Sequence, residues 1–219
     1  MKKILALFGA MLFIGITGCT IKTDNTNQEA TGKEAEPTKA IVNKCTYSVN
    51  NATAKLYWTA YKHTQKAEVK GIMDSIVLTN TTKDENILSA IKGTSFSIFP
   101  NSVNSNDEGR DKKIRENFFG NMENTDIIRG SIIELNNDTQ AQIEVTLNGQ
   151  TVTLPATMVV NNDIIQLRCE INFNNWETTK ALSELNKACE EKHTGIDGKS
   201  IFWPEAKILV EVNTIKECL

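Results

Sequence analysis

The sequence predicts an all-β protein of antiparallel strands, and three observations support that prediction. Segments in which apolar and polar residues alternate follow one another through the second half of the chain, a pattern typical of strands with one buried face. Turn dipeptides such as Asn148-Gly149 separate them. The predicted helices are few and short. These features favour a barrel or a sandwich, and closing the sheet into a barrel would remove its exposed edges.

The strands are predicted in chain order from composition and alternation. Residues 56–61 are rich in aromatic and strand-favouring side chains, and residues 95–99 and 127–135 form two further runs. Residues 140–147 alternate most clearly, with Ala141, Ile143, Val145 and Leu147 on one side. The alternation continues through residues 152–160, 165–173 and 207–213. We therefore expect about eight strands, most of them connected in sequence.

Three short helices are predicted between the strands, at residues 84–92, 110–118 and 178–192. In the first and the third, apolar residues recur at helical spacing, for example Leu182, Leu185 and Cys189 in the third. The helices are therefore insertions into a β domain.

Composition and motifs exclude several functions. The chain has 219 residues and a net charge of −3, without a basic patch, so nucleic acid is not an expected partner. The motifs GxSxG, HExxH, GxxxxGK[ST] and GxGxxG are absent from the sequence. We expect a protein that is not an enzyme and that has no cofactor or metal ion.

The N-terminus has the features of a bacterial lipoprotein signal peptide. Lys2 and Lys3 precede an apolar run at residues 4–16, and Gly18 directly precedes Cys19. Residues 1–18 are predicted to be removed and Cys19 to carry acyl chains that hold the protein on a membrane. A plain signal peptide or a membrane helix is the alternative, but a spanning helix needs about 20 apolar residues.

This signal predicts a location in the bacterial cell envelope, membrane-anchored and facing the periplasm. By resemblance to enterobacterial sorting, Thr20 indicates the outer membrane. Residues 19–43 are predicted to be a flexible tether because they are polar and lack aromatic residues, and residues 44–219 the folded domain.

Four cysteines remain beside Cys19, and an even number in an exported chain indicates two disulfides. Three pairings are possible. We favour Cys45–Cys218, which would join the two ends of the domain, with Cys169–Cys189 as the second bond. The alternative makes Cys189 and His193 metal ligands, since they lie four residues apart on a predicted helix.

Residues 104–123, NSNDEGRDKKIRENFFGNME, contain Arg110-Asp111, a short predicted helix and Phe118-Phe119. This segment resembles the YceI-like family of bacterial periplasmic proteins. Residues 61–63 with 69–71, and residues 147–155, resemble further elements of that family in the right order. The resemblance covers roughly residues 45–214. The cysteine-bearing helix within residues 174–199 departs from the family pattern.

The resemblance implies a lipocalin-like antiparallel β-barrel with an elongated apolar cavity. It further implies that the cavity holds a polyisoprenoid, a quinone or a similar amphiphilic lipid, and family members of this size can be homodimers. Alternation alone does not distinguish such a cavity from a filled core. The alternative is an interaction lipoprotein with a solid barrel, whose outer face or helix 178–192 binds a protein partner.

The predicted ligand-binding residues are inward-facing apolar side chains with one histidine. For each of them the alternative is an ordinary core position, and for His63 a solvated or hydrogen-bonded turn. Arg110 and Asp111 are interpreted as an ion-paired helix start rather than as catalytic residues. The candidates are Trp58, His63, Phe96, Phe118, Phe119, Ile133, Val145, Leu147, Leu154, Met158, Leu167, Phe173 and Trp203.

Overall fold

The computed structural model describes residues 44–219. The predicted signal peptide (residues 1–18), the acylated Cys19 and the predicted tether (residues 19–43) lie outside the described residues, so the structure does not test them. Val42–Leu219 forms one compact unit. We expect this unit to fold on its own, since it includes the sheet and the core described below.

The domain is built mainly of strands. They are β1 (Cys45–Ser48), β2 (Ala54–Lys62), β3 (Ala67–Met73), β4 (Ile76–Thr79), β5 (Ser95–Ile98), β6 (Val103–Asn104), β7 (Ile128–Asn137), β8 (Gln140–Leu147), β9 (Gln150–Asn161), β10 (Ile164–Asn172), β11 (Phe202–Asn213) and β12 (Ile215–Cys218).

The helical segments are short. They are α1 (Glu108–Lys113), which continues as a π-helix (Ile114–Phe118) and a 3₁₀ turn (Phe119–Asn121), then α2 (Thr179–Ala188) and α3 (Glu190–His193), with further 3₁₀ turns at Asn51–Thr53, Ser89–Ile91, Pro100–Ser102 and Phe173–Trp176. α1 corresponds to the start of the second predicted helix. Its N-cap is Asp107, whose side chain accepts a hydrogen bond from the Arg110 backbone N–H.

Ten strands form one sheet in the order β4-β5-β7-β8-β9-β10-β11-β2-β3-β6, and β1 and β12 form a separate two-stranded ribbon. All the pairings are antiparallel. Two residues, Asp74 and Ser75, separate β3 from β4. Because β3 and β4 lie toward opposite ends of the strand order, this link brings the edges together and curls the sheet. The all-β, lipocalin-like antiparallel fold is confirmed, with ten strands in the main sheet rather than about eight.

The hairpin prediction is confirmed at the β8–β9 connection. Leu147 pairs with Gln150, and Asn148 and Gly149 form the two-residue turn with φ of 48° and 70°. Positive φ at both positions is the conformation that Asn-Gly favours, and its twist matches that of paired strands. Ala141, Ile143 and Leu147 are buried, as the alternation predicted.

Two sequence-based expectations are wrong in detail. Residues 84–92 contain no α-helix, only the 3₁₀ turn Ser89–Ile91. Ile133, predicted to face inward, is 45% exposed. The register of β7 against β8 shifts between Ile132 and Glu134, so Ile133 is an extra residue in a bulge, and the alternation changes side there.

One of the two expected disulfides is present. Cys45 and Cys218 are bonded and pair across the β1–β12 ribbon. The predicted Cys169–Cys189 bond is wrong, because both are free thiols. Cys189 packs with Phe118 and Leu185 in the apolar cluster of the helical segments. Cys169 packs against a different cluster, the core inside the sheet. Burial raises the pKa of Cys169 to about 11, so this thiol stays protonated at neutral pH.

Candidate functional site

A cavity of about 310 Å³ lies inside the curled sheet. Strands from most of the sheet line it with apolar side chains, among them Leu56, Ile98, Ile143 and Ile208. One end of the sheet interior is filled by a packed core, in which Ile91, Met158 and Ile165 are almost completely buried. The cavity is therefore the unfilled part of the interior.

Two glycines keep the cavity open. A Cβ on Gly71 would lie 2.3 Å from Cζ2 of Trp58, and one on Gly130 would lie 2.3 Å from Cζ of Phe96. Each ring therefore rests directly on a glycine of the neighbouring strand, and the Trp58 indole N–H also donates to the Ile72 carbonyl at 3.1 Å. Because the rings lie close to the sheet, they line the cavity without filling it.

Small residues leave space on the wall next to Trp58. Ala206, Ala60 and Val69 are cross-strand neighbours on β11, β2 and β3, and all three line the cavity. Larger residues at these positions would extend into the space that is open here.

A helical cap covers one end of the cavity. We use this name for α1 with its π-helical and 3₁₀ extension, together with α2 and α3. Phe118 is the centre of its aromatic packing, with edge-to-face contacts to Phe119, Phe173 and Phe202 at centroid distances of 5.1, 4.9 and 6.3 Å. Ala181, Leu185 and Cys189 of the α2 region pack against the same ring.

Five polar side chains line the cavity near this cap: Lys62, Arg110, Lys113, Lys192 and His193. We call these five residues the basic mouth. The Lys192 side chain is 65% exposed, so this end reaches solvent. The five residues of the basic mouth lie on β2, α1 and α3, so the fold brings three separate parts of the chain together at this end of the cavity.

His193 is the most buried member of the basic mouth, at 8% exposed. Its Nδ1 lies 3.1 Å from Oδ1 of Asn186, which also accepts from the Ser200 hydroxyl. Since Asn186 Nδ2 donates to the Ser200 carbonyl, Oδ1 is an acceptor and Nδ1 must carry the proton. Burial first, and then the charge of Lys62, lower the pKa of His193 to about 4. The imidazole is therefore neutral at pH 7.

The histidine makes the stability depend on pH. Between about pH 6.5 and 4 the unfolded chain protonates His193 and the folded protein does not, so the free energy of unfolding falls as the pH is lowered. We expect this contribution to be at most about 3 kcal/mol. Urea unfolding of wild type and of His193→Gln at pH 7 and pH 4 measures it. The variant should lose less stability on acidification than wild type, and equal losses would contradict the assignment.

Eight of the thirteen residues predicted to bind ligand line the cavity. They are Trp58, Phe96, Phe118, Phe119, Val145, Leu147, Leu154 and Phe173. Met158 and Leu167 do face inward, but they pair with each other across β9 and β10 within the packed core.

His63, Trp203 and Ile133 are not among the lining residues. Alternation explains His63 and Trp203. On β2, Trp58, Ala60 and Lys62 share the inner face and His63 lies one residue beyond it, and on β11 Trp203 directly follows Phe202, which lines the cavity. His63, with a φ of 60°, starts a turn, and its carbonyl accepts from the Trp203 indole at 2.7 Å. Lys66 covers the Trp203 ring at 4.2 Å.

The sequence reasoning missed the basic mouth and Trp176. Trp176 is 1% exposed and lies in the 3₁₀ turn after β10, where no periodic pattern indicated its direction. Lys62 could have been found, since it continues the inner face of β2. Lys113 and Lys192 lie on helices whose orientation toward the sheet the sequence does not define.

The start of α1 is ion-paired, as expected, but Arg110 does not pair with Asp111. Arg110 pairs with the N-cap Asp107 at 3.3 Å. Asp111 is buried and accepts from the backbone N–H and the hydroxyl of Ser105 at 3.0 and 2.6 Å. The Arg-Asp motif therefore fixes the start of the cap and the loop before it.

The described part of the chain, residues 44–219, contains no group of three or more His, Cys, Asp or Glu residues arranged to hold a metal ion. Cys189 and His193, the alternative metal ligands, are joined by a backbone hydrogen bond of 2.8 Å. Within the same residues, none of the helices has the length and apolar character needed to span a membrane.

An antiparallel sheet curled around an apolar cavity, with a helical cap at one end, defines the class of lipocalin-like barrels. The family model described as YceI-like domain matches residues 47–199. The chain belongs to the YceI-like family.

Solved structures with the same fold have little sequence in common with this chain. A polyisoprenoid-binding domain from Saccharophagus degradans is 12% identical, with a TM-score of 0.53, over 76% of this chain and 98% of that one. BcnA of Burkholderia cenocepacia is 13% identical, with a TM-score of 0.50, over 75% and 98%. At such identities the likeness shows the fold alone. A search of the curated proteins finds no match.

Proposed function

We propose that this protein is a membrane-tethered, extracytoplasmic binding protein that holds an amphiphilic lipid, such as a polyisoprenoid or a quinone, in its cavity. The apolar cavity of about 310 Å³ beneath the helical cap is the main support for this function. The structural relative from Saccharophagus degradans is a polyisoprenoid-binding domain, which supports a ligand of this class.

The size and lining of the cavity suit an apolar chain. Its volume lies at the lower end of the range of about 300–1,000 Å³ found for small-molecule sites. Apolar walls offer water few partners, and burying each CH₂ contributes about 0.8 kcal/mol. Affinity should therefore rise about fourfold for each methylene that the cavity takes up. A short apolar molecule would not offset an association cost of about 4–15 kcal/mol.

The tethering part of the proposal depends on the N-terminal sequence. The basic start, the apolar run and Gly18-Cys19 support acylation at Cys19 and a location on the periplasmic side of the cell envelope, with the outer membrane as the proposed site. A domain held close to a bilayer is well placed to take up or release a lipid.

The alternative of a solid barrel that binds a protein partner has less support. It requires a filled interior, and the cavity does not fit that requirement. It also requires an exposed apolar face on α2, whereas Ala181 and Leu185 of this helix pack against Phe118. We therefore retain the lipid-binding function.

Filling the cavity should remove lipid binding without unfolding the protein. In Ala60→Phe the new ring would extend into the space beside Val69 and Ala206, so we expect at least a tenfold loss of retained lipid, with stability lowered by no more than about 3 kcal/mol. Lipid per protein is measured by mass spectrometry of an organic extract, and stability by urea unfolding.

The matched control is Thr59→Phe, because Thr59 precedes Ala60 on β2 and lies on the outer face. Its cross-strand partners are Lys70 and Lys207. The same ring at this position should leave lipid retention unchanged. Equal retention by a folded Ala60→Phe variant would refute the cavity as the lipid site.

A further inference from the structure

The basic mouth concentrates positive charge at one end of an otherwise apolar cavity. Four cationic side chains, Lys62, Arg110, Lys113 and Lys192, line the cavity, and its described lining contains no Asp or Glu. The same four charges surround Cys189, and they oppose the rise in its pKa that burial causes. The cations therefore converge on one region.

Nearby carboxylates offset this charge only in part. Asp107 lies 3.3 Å from Arg110 and 3.9 Å from Lys192, so one carboxylate is shared by two cations. Asp111, a residue of α1, is buried, and its carboxylate accepts from the backbone N–H and the hydroxyl of Ser105. Lys62 and Lys113 have no ion pair among residues 44–219 within 4.0 Å. His193 is neutral at pH 7 and adds no charge.

The two lysines without an ion pair donate to the ends of helices. Lys113 Nζ donates to the Ala188 carbonyl at 2.6 Å, and Lys62 Nζ donates to the Lys192 carbonyl at 3.2 Å. These bonds stabilise the C-termini of α2 and α3. Each uses one of the three protons of an ammonium group and does not neutralise its charge. Both side chains retain the charge and the donors that a second, anionic partner needs.

We infer that the basic mouth binds an anionic head group, a phosphate or a carboxylate, of the same amphiphile whose tail lies in the cavity. This inference rests on the function proposed above and narrows its ligand class. Charge-assisted hydrogen bonds from lysine and arginine are the strong type of contact for such groups. An uncharged head such as a quinone ring or an alcohol would leave the positive charges without a partner.

A pair of probes with the same tail tests the head group. Geranylgeranyl phosphate and geranylgeraniol are titrated separately into Val42–Leu219, with binding followed by the fluorescence of Trp58 and Trp176, which line the cavity. We expect the phosphate to bind at least about tenfold more tightly. Raising the salt from about 0.05 to 0.5 M should weaken binding of the phosphate and leave the alcohol unaffected.

Matched variants separate the binding of an anionic head group by Lys62 and Lys113 from the hydrogen bonds that these lysines donate to the helix ends. Lys62→Gln with Lys113→Gln keeps a hydrogen-bond donor at each helix end, and we expect it to lose most of the preference for the phosphate probe, because only Arg110 and Lys192, which share Asp107, remain charged. Lys112→Gln is the control, because Lys112 is exposed, pairs with Glu116 and does not line the cavity. This control should retain the preference for phosphate.

The outcomes distinguish the inference from the function on which it rests. Equal, salt-independent affinities of wild type for both probes would overturn the anionic head group and leave the lipid-binding function intact. Failure of both probes to bind would overturn the proposed function as well. If inorganic phosphate alone binds as tightly as the ester, the basic mouth is a site for a free anion, and the assignment to a lipid is wrong.

Discussion

Replacing Trp176 by Ala is expected to lower the free energy of unfolding by about 3–5 kcal/mol, as for other buried tryptophans. The side chain is 1% exposed and packs against Leu147 and Leu154, and its indole N–H donates to the Val145 carbonyl at 3.0 Å. The substitution removes this bond and leaves a void next to the existing cavity. Urea unfolding monitored by circular dichroism measures the change.

Trp176→Phe is the matched control for this substitution. It keeps most of the apolar contact and loses the hydrogen bond to Val145, so its cost should be smaller, about 1–2 kcal/mol. A loss below about 1 kcal/mol in Trp176→Ala would contradict the packing described here. It would mean that the turn Phe173–Trp176 is not part of the cooperative core.

Removing the Cys45–Cys218 disulfide is the second change with a large expected effect. The bond joins residues 173 positions apart, so it restricts nearly the whole unfolded chain of the domain. The loop-entropy relation gives a stabilisation of about 5 kcal/mol for such a loop, with about 2–5 kcal/mol as the usual cost of removing a native disulfide. We expect Cys45→Ala with Cys218→Ala to lower the melting temperature by about 10 °C.

Reducing conditions provide the control for the disulfide. A reductant should lower the melting temperature of wild type to that of the double variant and leave the double variant unchanged. Without a reductant, unfolded Val42–Leu219 should expose two thiols, those of Cys169 and Cys189. Equal melting temperatures of wild type with and without reductant would show that the β1–β12 ribbon does not contribute to global stability.

The strands with the clearest alternation could be predicted from the sequence. The segment from β8 to β10 consists of adjacent antiparallel strands with short turns, so its local pattern and its tertiary environment agree. Val145, Leu147 and Leu154 were assigned to the lining for this reason, and all three line the cavity. Ile133 was assigned to the wrong face because a bulge in β7 interrupts the alternation.

The short strands and the basic mouth could not be predicted in the same way. β6 has two residues and its pairing with β3 depends on the fold of the loop before it, so no local pattern marks it. Lys62, Lys113 and Lys192 are far apart in the sequence, and nothing local relates them. Their convergence follows from where the helical cap packs on the sheet.

Mass spectrometry of an organic extract shows whether the cavity holds a long-tailed lipid. Val42–Leu219 is purified from a periplasmic expression host beside its Ala60→Phe variant. We predict about one lipid per wild-type protein, with an isoprenoid or similar long apolar tail, and little in the variant. If the extract of folded wild-type protein holds no lipid, and adding geranylgeranyl phosphate or a quinone does not stabilise the protein, the cavity is not a lipid site.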